Sequence, residues 1–271
     1  MKLYVLDSGW EELDKEIFLA GCCISTVSNP KPEHKWIKIP IPAFLIENDG
    51  EYYLFDTGCD PDHKKNWPPI IEDQSPYHVT DEQQIMSRLE QLNVTPEMIS
   101  KVFISHLHAD HAGNLFRFTN AEVYINETEL MSTLRAYVTG EDMDVHAPTD
   151  LEHAMAAKLH WNLIPDDVKE VKIADGLTLL NLGSGHSYGM VAVRIDLEHT
   201  GRLLLVADSI YFRENVEPTI KAPSLCYDSF GYRRTARFLL DYAKENNCTI
   251  IFGHDWEQWQ TLKKAPEQYY D

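Results

Sequence analysis

The chain has 271 residues, 44% of them hydrophobic, which suits one large core, because single cores keep growing to roughly 250–300 residues before chains divide. A formal charge of −19, with acidic residues spread along the whole length, excludes nucleic acid and anionic membranes as partners and favours neutral or cationic ligands. Five cysteines without a Cys-x-x-Cys pair read as reduced, mostly buried thiols. The charged start is no signal-peptide core, no apolar run nears the ~20 residues of a membrane span, and a single cytoplasmic domain over residues 1–271 is expected.

Strand-like runs open the chain at residues 3–6, 43–46 and 52–55. Residues 60–79, with four prolines, Trp67 and Tyr77, read as an irregular loop from which His63 or His78 could reach a substrate. Thr80 caps a predicted helix running to about residue 92, with Asp81 and Glu82 favourable in its first turn. The apolar run 101–104 reads as a buried strand. Asn126-Glu127-Thr128-Glu129 opens a second helix, and residues 148–161 read as a third. Strands resume at 168–173, 177–182, 191–195 and 203–207, and a helix over 232–244 precedes a last strand at 249–252. Two batches of strands with helices between them suit two β-sheets packed face to face with helices outside both.

The densest chemistry follows the strand at 101–104. His106, His108, Asp110 and His111 place three imidazoles and a carboxylate within six residues. Side chains two apart on extended chain face the same way, so His106 and His108 can grip one ion together. Asp110 and His111 follow where the chain turns and can point at a second ion. Three more polar residues close apolar runs in the same manner: His186 after 177–182, Asp208 after 203–207 and His254 after 250–252. Ligands at the ends of several strands converge on one edge of a sheet arrangement.

Competing motifs carry less. Asp7-Ser8-Gly9 and Asp56-Thr57-Gly58 mimic the catalytic turns of aspartic proteases, but stand too close together for each to have its own lobe. Gly183-Ser184-Gly185 lacks the third glycine of a dinucleotide loop, and no Gly-x-Ser-x-Gly elbow supports a serine hydrolase. His34, His63, His78, His146, His153, His160 and His199 read as surface or helix residues.

His-x-His-x-Asp-His followed by His186, Asp208 and His254 resembles the metallo-β-lactamase fold hydrolases. The nearer resemblance is to the quorum-quenching N-acyl-homoserine lactone lactonases and to 4-pyridoxolactonase. It is carried by Pro42–Glu47, Phe55–Gly58, Ser105–Gly113, Asp208-Ser209-Ile210-Tyr211 and Phe252-Gly253-His254-Asp255. The resemblance implies an α/β fold of four layers, αβ/βα, and two divalent transition-metal ions, zinc first, with iron, manganese or cobalt fitting the same donors. It assigns His106, His108 and His186 to one ion, Asp110, His111 and His254 to the other, and Asp208 as the bridge. It implies a shared hydroxide as nucleophile, Tyr211 and one metal as stabilisers of the oxyanion, and Asp110 as proton donor to the leaving alkoxide. A small neutral lactone substrate and a homodimer follow from the same resemblance.

The departures lie in the pocket wall. Ala109 stands where lactonases commonly carry a bulky aromatic, Ser187-Tyr188-Gly189-Met190 replaces Thr-Pro-Gly-His, and Asn114 replaces a second glycine. None removes a ligand. A glyoxalase II-like thioesterase shares the ligands but carries a C-terminal helical domain, for which residues 257–271 leave no room. tRNA-processing nucleases share them too, against the charge of this chain. A non-hydrolytic metal-binding module of the redox kind typically brings a flavin domain, which this length does not hold.

Overall fold

Residues 43–46 alternate between two apolar layers: Phe44 and Ile46 join one cluster of buried side chains, Ala43 and Leu45 another. Successive side chains on a strand point to opposite faces, so the strand carrying them is covered on both sides and reads as a continuous apolar run. The computed structural model describes residues 1–141, 143 and 145–271. In it β1 (Lys2–Asp14), β2 (Trp36–Asn48), β3 (Glu51–Phe55), β4 (Tyr77–His78), β5 (Ile99–Phe103), β6 (Glu122–Asn126) and β7 (His160–Ile164) form a seven-stranded sheet, ordered β4-β1-β2-β3-β5-β6-β7. β8 (Glu170–Ala174), β9 (Leu177–Gly183), β10 (Met190–Leu197), β11 (Gly201–Leu205) and β12 (Cys248–Ile251) form a five-stranded sheet, ordered β12-β11-β10-β9-β8.

Leu3, Val5, Phe55 and Phe103 of the first sheet meet Leu179, Val193, Leu205 and Ile251 of the second in one buried core. The outer face of the first sheet is covered by Ile85 and Leu89 of helix Ile85–Gln91, Leu130 of helix Glu127–Thr139 and Leu151 of helix Pro148–Ala157. Helix Ser229–Asn246 covers the second sheet with Tyr232, Ala236 and Leu239 over Leu180, Ala192 and Leu204. The result is the expected four-layer αβ/βα fold of two packed β-sheets flanked by helices. Among the described residues no helix is long and apolar enough to cross a membrane.

Several local expectations need correction. Residues 60–79 hold two short helices, His63–Asn66 and Pro69–Gln74, before β4; Pro69 opens the second, where a missing N–H costs nothing. Thr80 caps a separate 3₁₀ turn, Asp81–Gln83, through a capping box, and the α-helix starts only at Ile85. Helix Pro148–Ala157 stops short of Trp161, which lies in β7, because Lys158 turns left-handed at φ 54°. β6 escaped the sequence reading altogether, and β1 runs on past a bulge at 7–10 into the acid-rich residues 11–14. Of the five cysteines only Cys59 is buried.

Candidate metal centre

Parallel pairing sets where the site forms. β3, β5, β6 and β7 run parallel, as do β11 and β12, so their C-terminal ends lie along common edges. The four-residue helix Ala109–Ala112 follows β5 and carries Asp110 and His111, with His106 and His108 on the extended chain before it. His186 lies in the turn after β9, Asp208 in a 3₁₀ turn after β11, and His254 just beyond β12. All seven predicted ligands therefore meet at one place, sorted into two groups: His106, His108, His186 and Asp208, and Asp110, His111, Asp208 and His254.

Asp208 divides its carboxylate between the groups. Oδ2 lies 3.2 Å from His186 Nε2 and 3.8 Å from His106 Nε2, while Oδ1 lies 3.0 Å from His254 Nε2 and 3.2 Å from His111 Nε2. His108 Nδ1 comes within 2.7 Å of His186 Nε2, and Asp110 Oδ2 lies 3.1 and 3.4 Å from His111 and His254. His106 Nε2, His111 Nε2 and Asp208 Oδ1 are buried without a hydrogen-bond partner. Buried polar atoms are rarely left so. Aimed at two common points, they fit two metal ions, for which imidazole and carboxylate are suitable donors.

A second ring of groups fixes those donors. Asp56 Oδ2 takes a bond from His111 Nδ1 at 2.8 Å, and Asp56 Oδ1 accepts the Ser105 N–H at 2.8 Å. Ser105 Oγ sits 2.9 Å from His106 Nδ1, and His254 Nδ1 donates to the Pro40 carbonyl at 2.8 Å. Asp56 thus orients the His111 ring. Burial holds His106 and His108 well below the usual histidine range, and the surrounding histidines deepen the effect. Burial pulls His111 and His254 down too, but carboxylates outweigh it: Asp110, Asp208 and Asp56 hold His111 well above its usual value, and Asp208 and Asp110 raise His254 to about 9. The first set is ready to ligate as neutral imidazoles; the second sheds protons as metal enters.

The centre floors a cavity of about 530 Å³ reached by His108, Asp110, His186, Asp208, His254 and Tyr211. Leu13, Ile17, Phe18, Trp67, Ile71 and Leu225 form much of its wall, with Glu11 and Ser75 as polar groups. Tyr211 is fully buried, its hydroxyl 2.8 Å from His186 Nδ1 and 3.3 Å from Nε2. Burial, with the Asp208 charge, pushes that hydroxyl well above its usual pKa, so it stays a donor. Ala109 lines the cavity and leaves room where an aromatic would intrude.

His63 and His78 do not reach this space. His63 is buried against Glu72 at 2.7 Å, and His78 stacks on Trp10 with ring centroids 3.9 Å apart. His146, read as a surface or helix residue, is buried, and its Nε2 lies 3.2 Å from Glu129 Oε1. Glu129 itself is fully buried and accepts from Leu107 N, Gly189 N and Ser187 Oγ. It ties the ligand segment after β5 to the turn carrying His186. Sequence reasoning saw Glu129 only as a helix-opening residue; its partners lie up to 60 positions away, and no local pattern announces them.

The Metallo-beta-lactamase superfamily profile matches residues 37–260. The N-acyl homoserine lactonase AiiB of Rhizobium rhizogenes (strain K84 / ATCC BAA-868) is 34% identical over 273 residues, spanning 100% of this chain and 99% of that protein. A solved structure of a Bacillus thuringiensis AiiA mutant with N-decanoyl-L-homoserine bound at the active site superposes with a TM-score of 0.81 at 26% identity, covering 99% and 98% of the two chains. An N-acyl homoserine lactone hydrolase with N-hexanoyl-L-homoserine bound at its catalytic metal center gives 0.81 at 25% identity, covering 99% and 98%.

Proposed function

Because the chain belongs to the metallo-beta-lactamase superfamily, and within it groups with the N-acyl homoserine lactonases, we propose that it is a two-metal hydrolase that opens the ring of N-acyl homoserine lactones. The observation that carries this reading is the pair of donor sets joined by Asp208 at the floor of a largely apolar cavity. The acyl chain lies along Leu13, Ile17, Phe18, Trp67 and Ile71, and the lactone ring faces the donors. A neutral substrate suits a chain of net charge −19.

His106, His108 and His186 would hold one ion and Asp110, His111 and His254 the other, with Asp208 contributing to both sets. Zinc suits this donor set best, and iron, manganese or cobalt fit it as well. Bound there, the ions supply Lewis acidity and a nucleophile at neutral pH, since even one zinc lowers the pKa of water to ~7. The protonated Tyr211 hydroxyl donates to the carbonyl oxygen as it gains charge. Asp110, held as a carboxylate in the fold, takes up the proton that the attacking water gives up and passes it to the ring oxygen as the C–O bond breaks. Free cysteines such as Cys22 and Cys226 fit a cytoplasmic setting, where thiols stay reduced.

The test is a panel read by proton release: acyl-homoserine lactones of several chain lengths, 4-pyridoxolactone, a simple γ-lactone, a β-lactam and a glutathione thioester. Acyl-homoserine lactones should give the highest kcat/KM. Faster turnover of the thioester or the β-lactam would replace the lactonase reading with another hydrolase of this fold.

A further inference from the structure

A second cluster of metal-ligating side chains lies apart from the centre. Asp60, Asp150 and His153 bring one donor atom each within 4.8 Å of one another, and none belongs to the two sets already described. Asp60 is 2% exposed and Asp150 7%. Asp150 and His153 stand three apart on helix Pro148–Ala157, so they project from one face of it. Asp60 approaches from the loop that follows Cys59.

The three residues differ in how they are satisfied. Asp60 is held as an anion's acceptor should be: Oδ1 takes the Asp62 N–H at 2.8 Å and Oδ2 the Asn66 amide at 2.6 Å. Asp150 has no hydrogen-bond partner on either oxygen, and His153 Nδ1, also buried, has none. The Trp67 indole stands beside the Asp150 carboxyl, but its N–H is likewise unpaired by hydrogen-bond geometry. Burying a second carboxylate against the first is costly unless a positive charge lies between them. Helices that offer an acid and a histidine three residues apart build metal sites by this geometry.

We propose that Asp60, Asp150 and His153 form a third metal site, for a divalent ion of the zinc or manganese kind, which fastens the wall of the substrate cavity to helix Pro148–Ala157. Two carboxylates and one imidazole are the donors such ions accept, with water completing the shell. The loop so fastened carries Trp67, Ile71 and Ser75 of the cavity wall. A weaker tie exists already: Thr149 Oγ donates to the Asn66 carbonyl at 2.8 Å. The site does not depend on what the cavity hydrolyses.

The competing account is a proton shared by the two carboxylates, and metal counting separates the two. The full-length protein is stripped with a chelator, titrated with zinc or manganese, desalted and analysed for metal content. We expect three ions per chain in the wild type and two in both Asp150→Asn and His153→Ala; the latter sits at the edge of the cluster and keeps the test open if the former misfolds. Zinc at about a hundredfold over its Kd for this site should raise the wild-type Tm by roughly 5–10 °C above the two-ion form, and not that of the variants. Saturation of the wild type at two ions overturns the proposal. So does a third ion that persists in His153→Ala, or a chelated Asp150→Asn that is more stable than wild type while metal counts stay equal.

Discussion

Asp208 gives one oxygen to each donor set, and that division decides what its loss does. In Asp208→Asn a neutral amide faces two dications that only a carboxylate can hold side by side. At least one ion should be lost on purification and kcat should fall by several orders of magnitude; retention of both ions with near-normal turnover would make Asp208 a bystander. Tyr211→Phe removes one oxygen from a fully buried ring, so both metals and the fold should survive. Turnover should fall roughly 10- to 1000-fold for the loss of one oxyanion donor. Because the hydroxyl matters most as charge develops, kcat should drop more than KM rises in steady-state kinetics. An unchanged kcat would leave Tyr211 as packing around His186. The seven donors that meet here were legible in the sequence because they follow the ends of four apolar runs. Glu129 and His146 were not, since their pairing exists only once helix Glu127–Thr139 packs beside the segment after β5.

The ends of β11 and β12 impose a closer tolerance than their interiors. Gly253 lies between Ile251 and His254, and a Cβ built there would stand 2.6 Å from the Ala207 carbonyl oxygen and 3.0 Å from Asp208 Oδ1. Only a residue without a side chain lets the His254 turn pack against the Asp208 turn. Gly253→Ala should therefore push the two ligand-bearing turns apart at about 1–3 kcal/mol of overpacking. Thermal unfolding should show a Tm lower by roughly 2–10 °C, with weaker retention of the ion held by His254; a variant with wild-type Tm and metal content would show that the turns yield freely. Strands buried on both faces, such as β2 and β10, were legible as apolar runs for the same reason that they form the inner layers. β6, Glu-Val-Tyr-Ile-Asn, is short and flanked by polar residues, and its strand state comes from parallel partners on both sides. The two short helices within 60–79 owe their order to Trp67, Ile71 and Tyr77 packing together with β2, a tertiary cause that proline content conceals.

Across the whole molecule, the buried charges make the metal-free protein sensitive to alkaline pH. Burial and the Asp110 charge raise the Glu11 carboxyl to about 8, and the Asp208 and Asp110 carboxylates, outweighing burial, raise His254 to about 9. Both groups bind protons more tightly in the fold than in the unfolded chain. For His254 the folded protein keeps a proton between about pH 6.5, where a free imidazole loses it, and pH 9. Its stabilisation is therefore complete below pH 6.5 and is lost as pH rises through 9. Glu11 acts in the same direction up to pH 8, because ionising it inside the fold is opposed while ionising it in the unfolded chain is not. His106, His108 and His186, depressed by burial, favour the fold with rising pH, but only below the ordinary histidine range. Above pH 6.5 these three histidines no longer offset the losses. Urea unfolding of chelator-treated protein should show stability lower by on the order of 2–3 kcal/mol at pH 9 than at pH 6.5. Restoring metal should flatten that slope, since ligated His254 is neutral at both pH values, and by the same linkage metal affinity should rise with pH as fewer protons remain to be displaced. A metal-free protein equally stable at pH 6.5 and 9 would mean that Glu11 and His254 titrate as they do in water, and that the carboxylates around them are not holding their charge.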